Sequence, residues 1–195
     1  MPKPRLTRED WTRAALDAMA RGGPSAVAVE PLAKILGATR GSFYWHFTDR
    51  EALLVAALEL WERVATEDMI AAMSKIRNPL DRLRTLLHEA LRDRRPSDAY
   101  LEPSIVAHAH DPVVAPVLRR VTDRRIGYLA ECYRELGMAP DAARRQGVVA
   151  YAAYLGWVEL RAAAPDVVPE VTRDPAAMDH LLGQLTPKLG NDHLA

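Results

Sequence analysis

Residues 29–54, VEPLAKILGATRGSFYWHFTDREALL, decide how this chain of 195 residues is read. Pro31 suits the first turn of a helix, where a missing N–H leaves no bond unmade. Leu32, Ile35 and Leu36 follow at helical spacing and are expected to face inward. Gly37-Ala38 marks a tight turn. Thr39 is a good N-cap for a second helix, which the spacing predicts to run to about Phe47. Phe43 and Phe47 then lie one turn apart on its buried edge. Asp49 opens a further helix. Two short helices joined by a glycine turn have the layout of a helix-turn-helix, whose second helix enters the major groove of DNA.

The polar residues of the second helix fit that use. Arg40 and Tyr44 are related as i, i+4, as are Ser42 and His46, while Thr39 and Ser42 are i, i+3. Arg40, near the helix start, is placed for the bidentate contact to guanine that arginine favours. Gly41 lets backbone approach the bases, and Ser42 reaches a base edge or a phosphate. Tyr44 and His46 read as phosphate clamps, which hold register without reading sequence. Arg50, in the first turn of the next helix, adds a cation beside free backbone N–H groups. Helix pairs of this kind also occur as plain packing units, so periodicity alone leaves both readings open.

The segment resembles the N-terminal domain of the tetracycline-repressor (TetR) family. The resemblance is carried by Leu32-Ala33, by Leu36-Gly37, by Gly41-Ser42-Phe43-Tyr44-Trp45-His46-Phe47 and by Arg50-Glu51-Ala52-Leu53-Leu54, and it covers about residues 7–60. It implies an all-α homodimer with a C-terminal ligand-binding body and repression relieved by a small molecule. By position, Thr39, Arg40, Ser42, Tyr44, Trp45 and His46 match the family's recognition-helix contacts. Arg50 matches a basic phosphate contact usually filled by lysine. Glu30 and Pro31 depart from the pattern, standing where many relatives carry a threonine or arginine that touches DNA. Glu30 would repel phosphate, so that contact is expected to be missing or moved to Arg5 or Arg8.

Formal charge is zero overall, so composition alone does not suggest a nucleic-acid partner. Its distribution does. Residues 1–50 carry eight lysines and arginines against five acidic residues, a net +3 that leaves −3 for the remainder. A basic head on an acidic body suits a polyanion-binding module joined to something else. Cys132 is the single cysteine, so no internal disulfide forms and a cytoplasmic location is expected. The N-terminal residues lack the apolar run of a secretory signal, and no stretch reaches the ~20 apolar residues that span a bilayer.

Beyond the head the pattern stays helical. Leu54, Leu58, Trp61, Ala65, Met69 and Met73 predict one long helix from Asp49 to about Met73. Further helices follow from Asn78-Pro79, from about Asp98, from Asp111-Pro112 to Leu136, from about Asp141 to Ala163 and from Asp174-Pro175. The expected fold is all-α with about nine helices: a DNA-binding head at 1–48 and an effector-binding, dimerising body at 49–195. From Gly147 to Val158 every position is apolar or aromatic, so that helix must be covered on all sides. Gly147, Ala150, Ala153, Tyr154, Trp157, Met178, Leu181, Leu182 and Leu185 are therefore the expected dimer interface, two helices from each subunit.

Candidate effector contacts are Trp61, Met69, Met73, His88, Tyr100, Ser104, His108, Tyr128 and Trp157, which suit a small hydrophobic or aromatic molecule. An ordinary core would use the same residue types. No nucleophile motif or phosphate-cradling glycine loop is visible, and no cofactor is expected. His108, His110 and Asp111 raise the rival reading of a helical metal-dependent enzyme. Histidines at i and i+2 do not share a helix face, however, and no close Cys or Glu completes a site. A second rival is a sensor that no longer binds DNA, for which Glu30 is the hint.

Overall fold

The structure is a computed structural model that describes residues 6–91, 98–167 and 175–186. Its helices are α1 (Arg8–Gly22), α2 (Val29–Leu36), α3 (Arg40–Phe43), α4 (Arg50–Glu62), α5 (Asp68–Met73), α6 (Pro79–Leu91), α7 (Asp98–Ala107), α8 (Val114–Glu135), α9 (Pro140–Ala163) and α10 (Pro175–Leu185). A π-helical segment, Arg63–Glu67, joins α4 to α5 without a break. Counted as one run, these make nine helical stretches among the described residues, beside a short 3₁₀ turn at Pro24–Ala26, and the fold is all-α as the spacing predicts. Arg5 lies outside the described residues.

Packing divides the chain into two units. The first comprises 6–65 with 98–121; the second comprises 66–91, 122–167 and 175–186. The head formed by α1, α2 and α3 is thus not closed on itself. Trp11, Met19, Leu32 and Phe43 share one buried cluster with Leu53 and Leu58 of α4, Ile105 of α7 and Val121 of α8. Three short helices bury too little apolar surface to stand alone, and the added helices supply the rest.

In the first unit, α1 starts on a capping box. The Thr7 hydroxyl accepts from the Asp10 N–H at 3.2 Å, and the Asp10 carboxylate accepts from the Thr7 N–H at 2.7 Å. The backbone bond from Thr7 holds the Asp10 carboxyl below its ordinary value. This cap is therefore complete above the usual carboxylate range and is lost as pH falls through the lowered value. At its other end α1 stops at Gly23, with φ 68° and ψ −170°. There α7 meets it: the Ser104 hydroxyl donates to the Met19 carbonyl at 2.7 Å, and the His108 Nδ1 lies 2.7 Å from the Ser104 carbonyl. The His108 ring fills the space beside Gly23, where a Cβ would sit 2.3 Å from its Cε1.

The long helix expected from Asp49 to Met73 is present as one run, but its inward stripe is corrected by the π segment. A π turn takes in one extra residue, which rotates everything after it. The inward stripe therefore does not run Trp61, Ala65, Met69, Met73. It passes from Trp61 to Thr66, Ile70 and Met73, leaving Ala65 and Met69 half-buried. Ile35 is a second correction. It is 64% exposed, because the buried face of α2 is centred on Leu32 and Ala33.

The second unit is tied by polar contacts at its edges. Arg82, almost fully buried, donates to the Ile76 carbonyl at 3.1 and 3.0 Å and to Glu135 at 2.9 Å. The Tyr133 hydroxyl donates to the Leu185 carbonyl at 2.7 Å, joining α8 to the end of α10. Burial pushes the Tyr133 hydroxyl up to about 12, so it remains a donor throughout the physiological range. Helix α9 crosses α8 at Gly147, where a Cβ would come within 3.0 Å of the Ile126 carbonyl.

Gly23 is constrained twice, by a positive φ and by the histidine ring. Gly23→Ala is expected to destabilise the protein by about 2 kcal/mol or more. A urea unfolding curve measures this, and an unchanged midpoint would mean that the α1–α7 junction relaxes freely.

Candidate nucleic-acid interface

The turn between α2 and α3 is built as the sequence requires. Gly37 sits in the left-handed region at φ 61° and ψ 37°, a conformation that glycine adopts without strain. Its N–H donates to the Lys34 carbonyl at 3.2 Å, and the Ala38 N–H donates to the Ala33 carbonyl at 2.8 Å, closing the end of α2. Thr39 then caps α3, its hydroxyl accepting from the Ser42 N–H at 3.2 Å. The Ser42 hydroxyl donates back to the Thr39 carbonyl at 2.8 Å.

Helix α3 is shorter than the spacing predicts. It ends at Phe43, and Tyr44, Trp45 and His46 form a turn closed by the His46 and Phe47 N–H groups on the Phe43 carbonyl, at 2.9 and 3.0 Å. Three consecutive ring side chains lose rotamer freedom in a helix, and the Asp49 cap of α4 already claims the chain beyond. Phe43 is fully buried and Phe47 nearly so. The two rings stack at 5.6 Å, and Trp11 meets Phe43 edge-on at 5.4 Å.

With that edge seated, the opposite surface faces solvent. Thr39, Arg40, Gly41, Tyr44 and Trp45 are exposed, Trp45 to 78%, while Ser42 and His46 are half-buried. A tryptophan and a tyrosine left open beside an arginine are costly surfaces for a chain to leave uncovered, and they suit a partner with stacked rings and phosphates. The Arg40 guanidinium lies 3.5 Å from the Tyr44 hydroxyl and 3.3 Å from Glu30. The hydrogen bond to Tyr44 and then the charge of Glu30 raise Arg40 above the usual arginine value, so it is a permanent cation.

Two other cations are engaged within the first unit. Arg50 donates through Nε to the Val27 carbonyl at 2.6 Å and through Nη2 to the Pro24 carbonyl, pinning the start of α4 to the loop after α1. Arg8 donates to the His46 carbonyl at 3.0 Å, and its guanidinium lies 4.4 Å above the Phe47 ring. Sequence reading missed both roles, because the acceptors are backbone carbonyls more than twenty residues away. An open groove of about 790 Å³ runs beside Arg8, Arg50, Val55 and Glu59. None of the nine expected effector residues lines it.

Those nine fall into both units. Trp61, Tyr100, Ser104 and His108 belong to the first, and Met69, Met73, His88, Tyr128 and Trp157 to the second. Ser104 and His108 carry the α1–α7 junction, and His88 and Tyr100 are exposed. Met73 and Tyr128 are buried, and the Trp157 Nε1 is buried without a hydrogen-bond partner among the described residues. Of the expected interface residues, Gly147, Ala150, Met178, Leu182 and Leu185 are buried in the second unit's own core. Ala153, Tyr154, Trp157 and Leu181 are half-buried, whereas Val149, Ala152, Gly156 and Leu160 form the exposed apolar stripe of α9.

The metal reading meets committed side chains. His108 Nδ1 is engaged at the Ser104 carbonyl, and Asp111 accepts from the Val113 and Val114 N–H groups at the start of α8. Among the described residues no cluster of three or more His, Cys, Asp or Glu is spaced to hold a metal, and no helix is long and apolar enough to cross a membrane.

Arg50→Ala is expected to lower stability by about 2 kcal/mol, because two charged hydrogen bonds to part-buried carbonyls are lost. Thermal unfolding measures it, and an unchanged Tm would return Arg50 to the pool of cations free for a ligand.

Residues 12–57 match the family model described as bacterial regulatory proteins, tetR family. No curated protein matches the chain. Solved structures do. A transcriptional regulator from Rhodococcus sp. Rha1 is 19% identical over 92% of this chain and 96% of its own, with a TM-score of 0.75. A TetR-family regulator from Agrobacterium tumefaciens is 18% identical over 92% of this chain and 97% of its own, with a TM-score of 0.73. The transcriptional regulator FadR from Bacillus subtilis, solved with stearoyl-CoA, is 14% identical over 92% of this chain and 98% of its own, with a TM-score of 0.71. At these identities the structures speak for the fold, and the matched segment speaks for the family. Residues 12–57 thus carry a segment similar to the tetR family of bacterial regulatory proteins, and over 92% of its length the chain shares the fold of the solved regulators.

Proposed function

We propose that this protein is a cytoplasmic repressor that binds a palindromic DNA operator as a homodimer and is released by a small hydrophobic or aromatic molecule. The observation that carries the DNA reading is the α3 surface: Arg40, Tyr44 and Trp45 stand in solvent while Phe43 and Phe47 hold the element from behind. Arg40 reads a guanine, and Thr39, Gly41 and Ser42 let the helix start approach base edges. Tyr44, Trp45 and His46 contact the sugar–phosphate backbone. Arg50 supports the site chiefly by fixing α4.

A homodimer sets two such surfaces one DNA turn apart, about 34–36 Å, which makes the operator two-fold symmetric. The exposed stripe Val149, Ala152, Gly156 and Leu160 supports an interface on the outer face of α9, with Ala153, Tyr154, Trp157 and Leu181 beside it. Small residues there let a partner helix come close. Met73, Tyr128 and Trp157 are the effector residues that the second unit's burial favours, and the unpartnered Trp157 N–H would donate to an acceptor on an otherwise apolar ligand. The Bacillus subtilis relative was solved with stearoyl-CoA, whose acyl chain is the hydrophobic part of that ligand. The effector acts by preferring one of two head spacings, since a ligand shifts only an equilibrium whose states it binds unequally.

Selection from double-stranded DNA with a randomised centre tests the core of this reading, and it should return a palindrome. Arg40→Ala should weaken binding to the selected duplex about 5- to 150-fold and relax preference at one position of each half-site. Tyr44→Phe should weaken all duplexes and also relax preference at the Arg40 position, since the Tyr44 hydroxyl holds that guanidinium. Absence of any binding to duplex would leave the sensor reading instead. For the assembly, Ala152→Glu places a charge on the exposed stripe without disturbing the core, and sedimentation should then find monomers. A dimer that survives it would move the interface off α9.

A further inference from the structure

Glu30 is the residue on the reading surface that a DNA-binding protein has least reason to keep. It sits in the first turn of α2, 76% exposed, where a carboxylate faces the charge of any approaching duplex. Lys34 stands one turn along the same helix, the spacing at which a glutamate ordinarily finds a cation. The ion pair instead crosses the turn: Glu30 Oε1 lies 3.3 Å from Arg40 Nη1. The other terminal nitrogen of Arg40, Nη2, is directed to the Tyr44 hydroxyl at 3.5 Å. The guanidinium is therefore held at both ends, by α2 on one side and by the turn after α3 on the other.

We propose that Glu30 is a positioning residue for Arg40 and so determines specificity, a role that rests on reading this surface as the DNA contact. Two consequences follow from the geometry. An arginine carries five N–H donors in a rigid fork, so holding two of them leaves the others to meet a guanine edge in one orientation. The rotamer freedom that Arg40 would lose on DNA is partly removed beforehand, which favours the base it fits over bases it does not. The carboxylate also offsets the charge of Arg40, so the arginine contributes little to phosphate-driven binding of arbitrary sequence. Exposed ion pairs are weak in water, but exclusion of solvent by the duplex strengthens this one at the moment of reading. The acidic residue thus lowers affinity for all DNA while sharpening the choice among sequences.

The experiment compares wild type, Glu30→Gln, Arg40→Ala and the double variant on duplexes chosen by randomised-pool selection. Glu30→Gln should bind arbitrary duplex more tightly by about threefold or more, with a salt dependence steeper by about one ion. Its base preference at the Arg40 position should fall about fivefold or more. In the Arg40→Ala background, Glu30→Gln should still raise affinity evenly but no longer alter any base preference. If Glu30→Gln tightens binding and leaves the base profile intact, Glu30 is only a repelling charge and the positioning role is overturned. A profile that changes equally with and without Arg40 overturns it as well, since Glu30 then reads DNA itself. Wild type that selects no sequence at all would defeat the underlying DNA reading rather than this inference.

Discussion

The inward packing of two phenylalanines governs the whole exposed face built on α3. Helix α3 has four residues, far too few to persist through its own hydrogen bonds. It exists because Phe43 is locked between Trp11 and Phe47, while Thr39 caps one end and the Phe43 carbonyl gathers the N–H groups at the other. Buried aromatic contacts of this kind are directional, so they fix rotation as well as depth. The rotation sends Arg40, Tyr44 and Trp45 outward together. A smaller side chain at position 43 would free the element to roll and disperse that surface.

Charge on this unit serves geometry before it serves binding. Arg50 and Arg8 are cations of a net-positive head, yet each is drawn inward to backbone carbonyls, one after α1 and one after α3. These bonds satisfy acceptors that turns leave without partners and brace the elements that flank α3. On the α3 surface the outward arginine, Arg40, is itself paired. On the proposed DNA contact, discrimination would then come from shape and hydrogen-bond direction more than from net charge.

The second unit solves a different problem. Its longest apolar run, in α9, has to serve a core and leave a surface. Gly147 is small because α8 passes close to it and Ala150 is buried beside it, whereas Val149, Ala152, Gly156 and Leu160 lie on the exposed side of the same helix. The π segment before α5 acts similarly on the preceding helix, moving the buried stripe by one residue so that Thr66 and Ile70 turn inward where Ala65 and Met69 would otherwise stand.

Local chemistry made much of this protein legible from its residues alone. Caps at Thr7, Thr39 and Asp49, the left-handed glycine at 37, and apolar spacing of three and four are short-range effects, and each element they mark is present. The outward positions of Arg40 and Tyr44 were legible from spacing against the two phenylalanines, although Tyr44 lies just past the end of α3 and Ser42 and His46 are half-buried. What tertiary structure alone decided are matters of distance along the chain: where Arg8, Arg50 and Glu30 direct their charges, which small residues of α9 face the core of their own unit, and that Ser104 and His108 fasten α7 to α1. Periodicity reports which face of a helix is apolar, but not which neighbour covers it. A charged side chain chooses among acceptors that only the folded chain brings within reach.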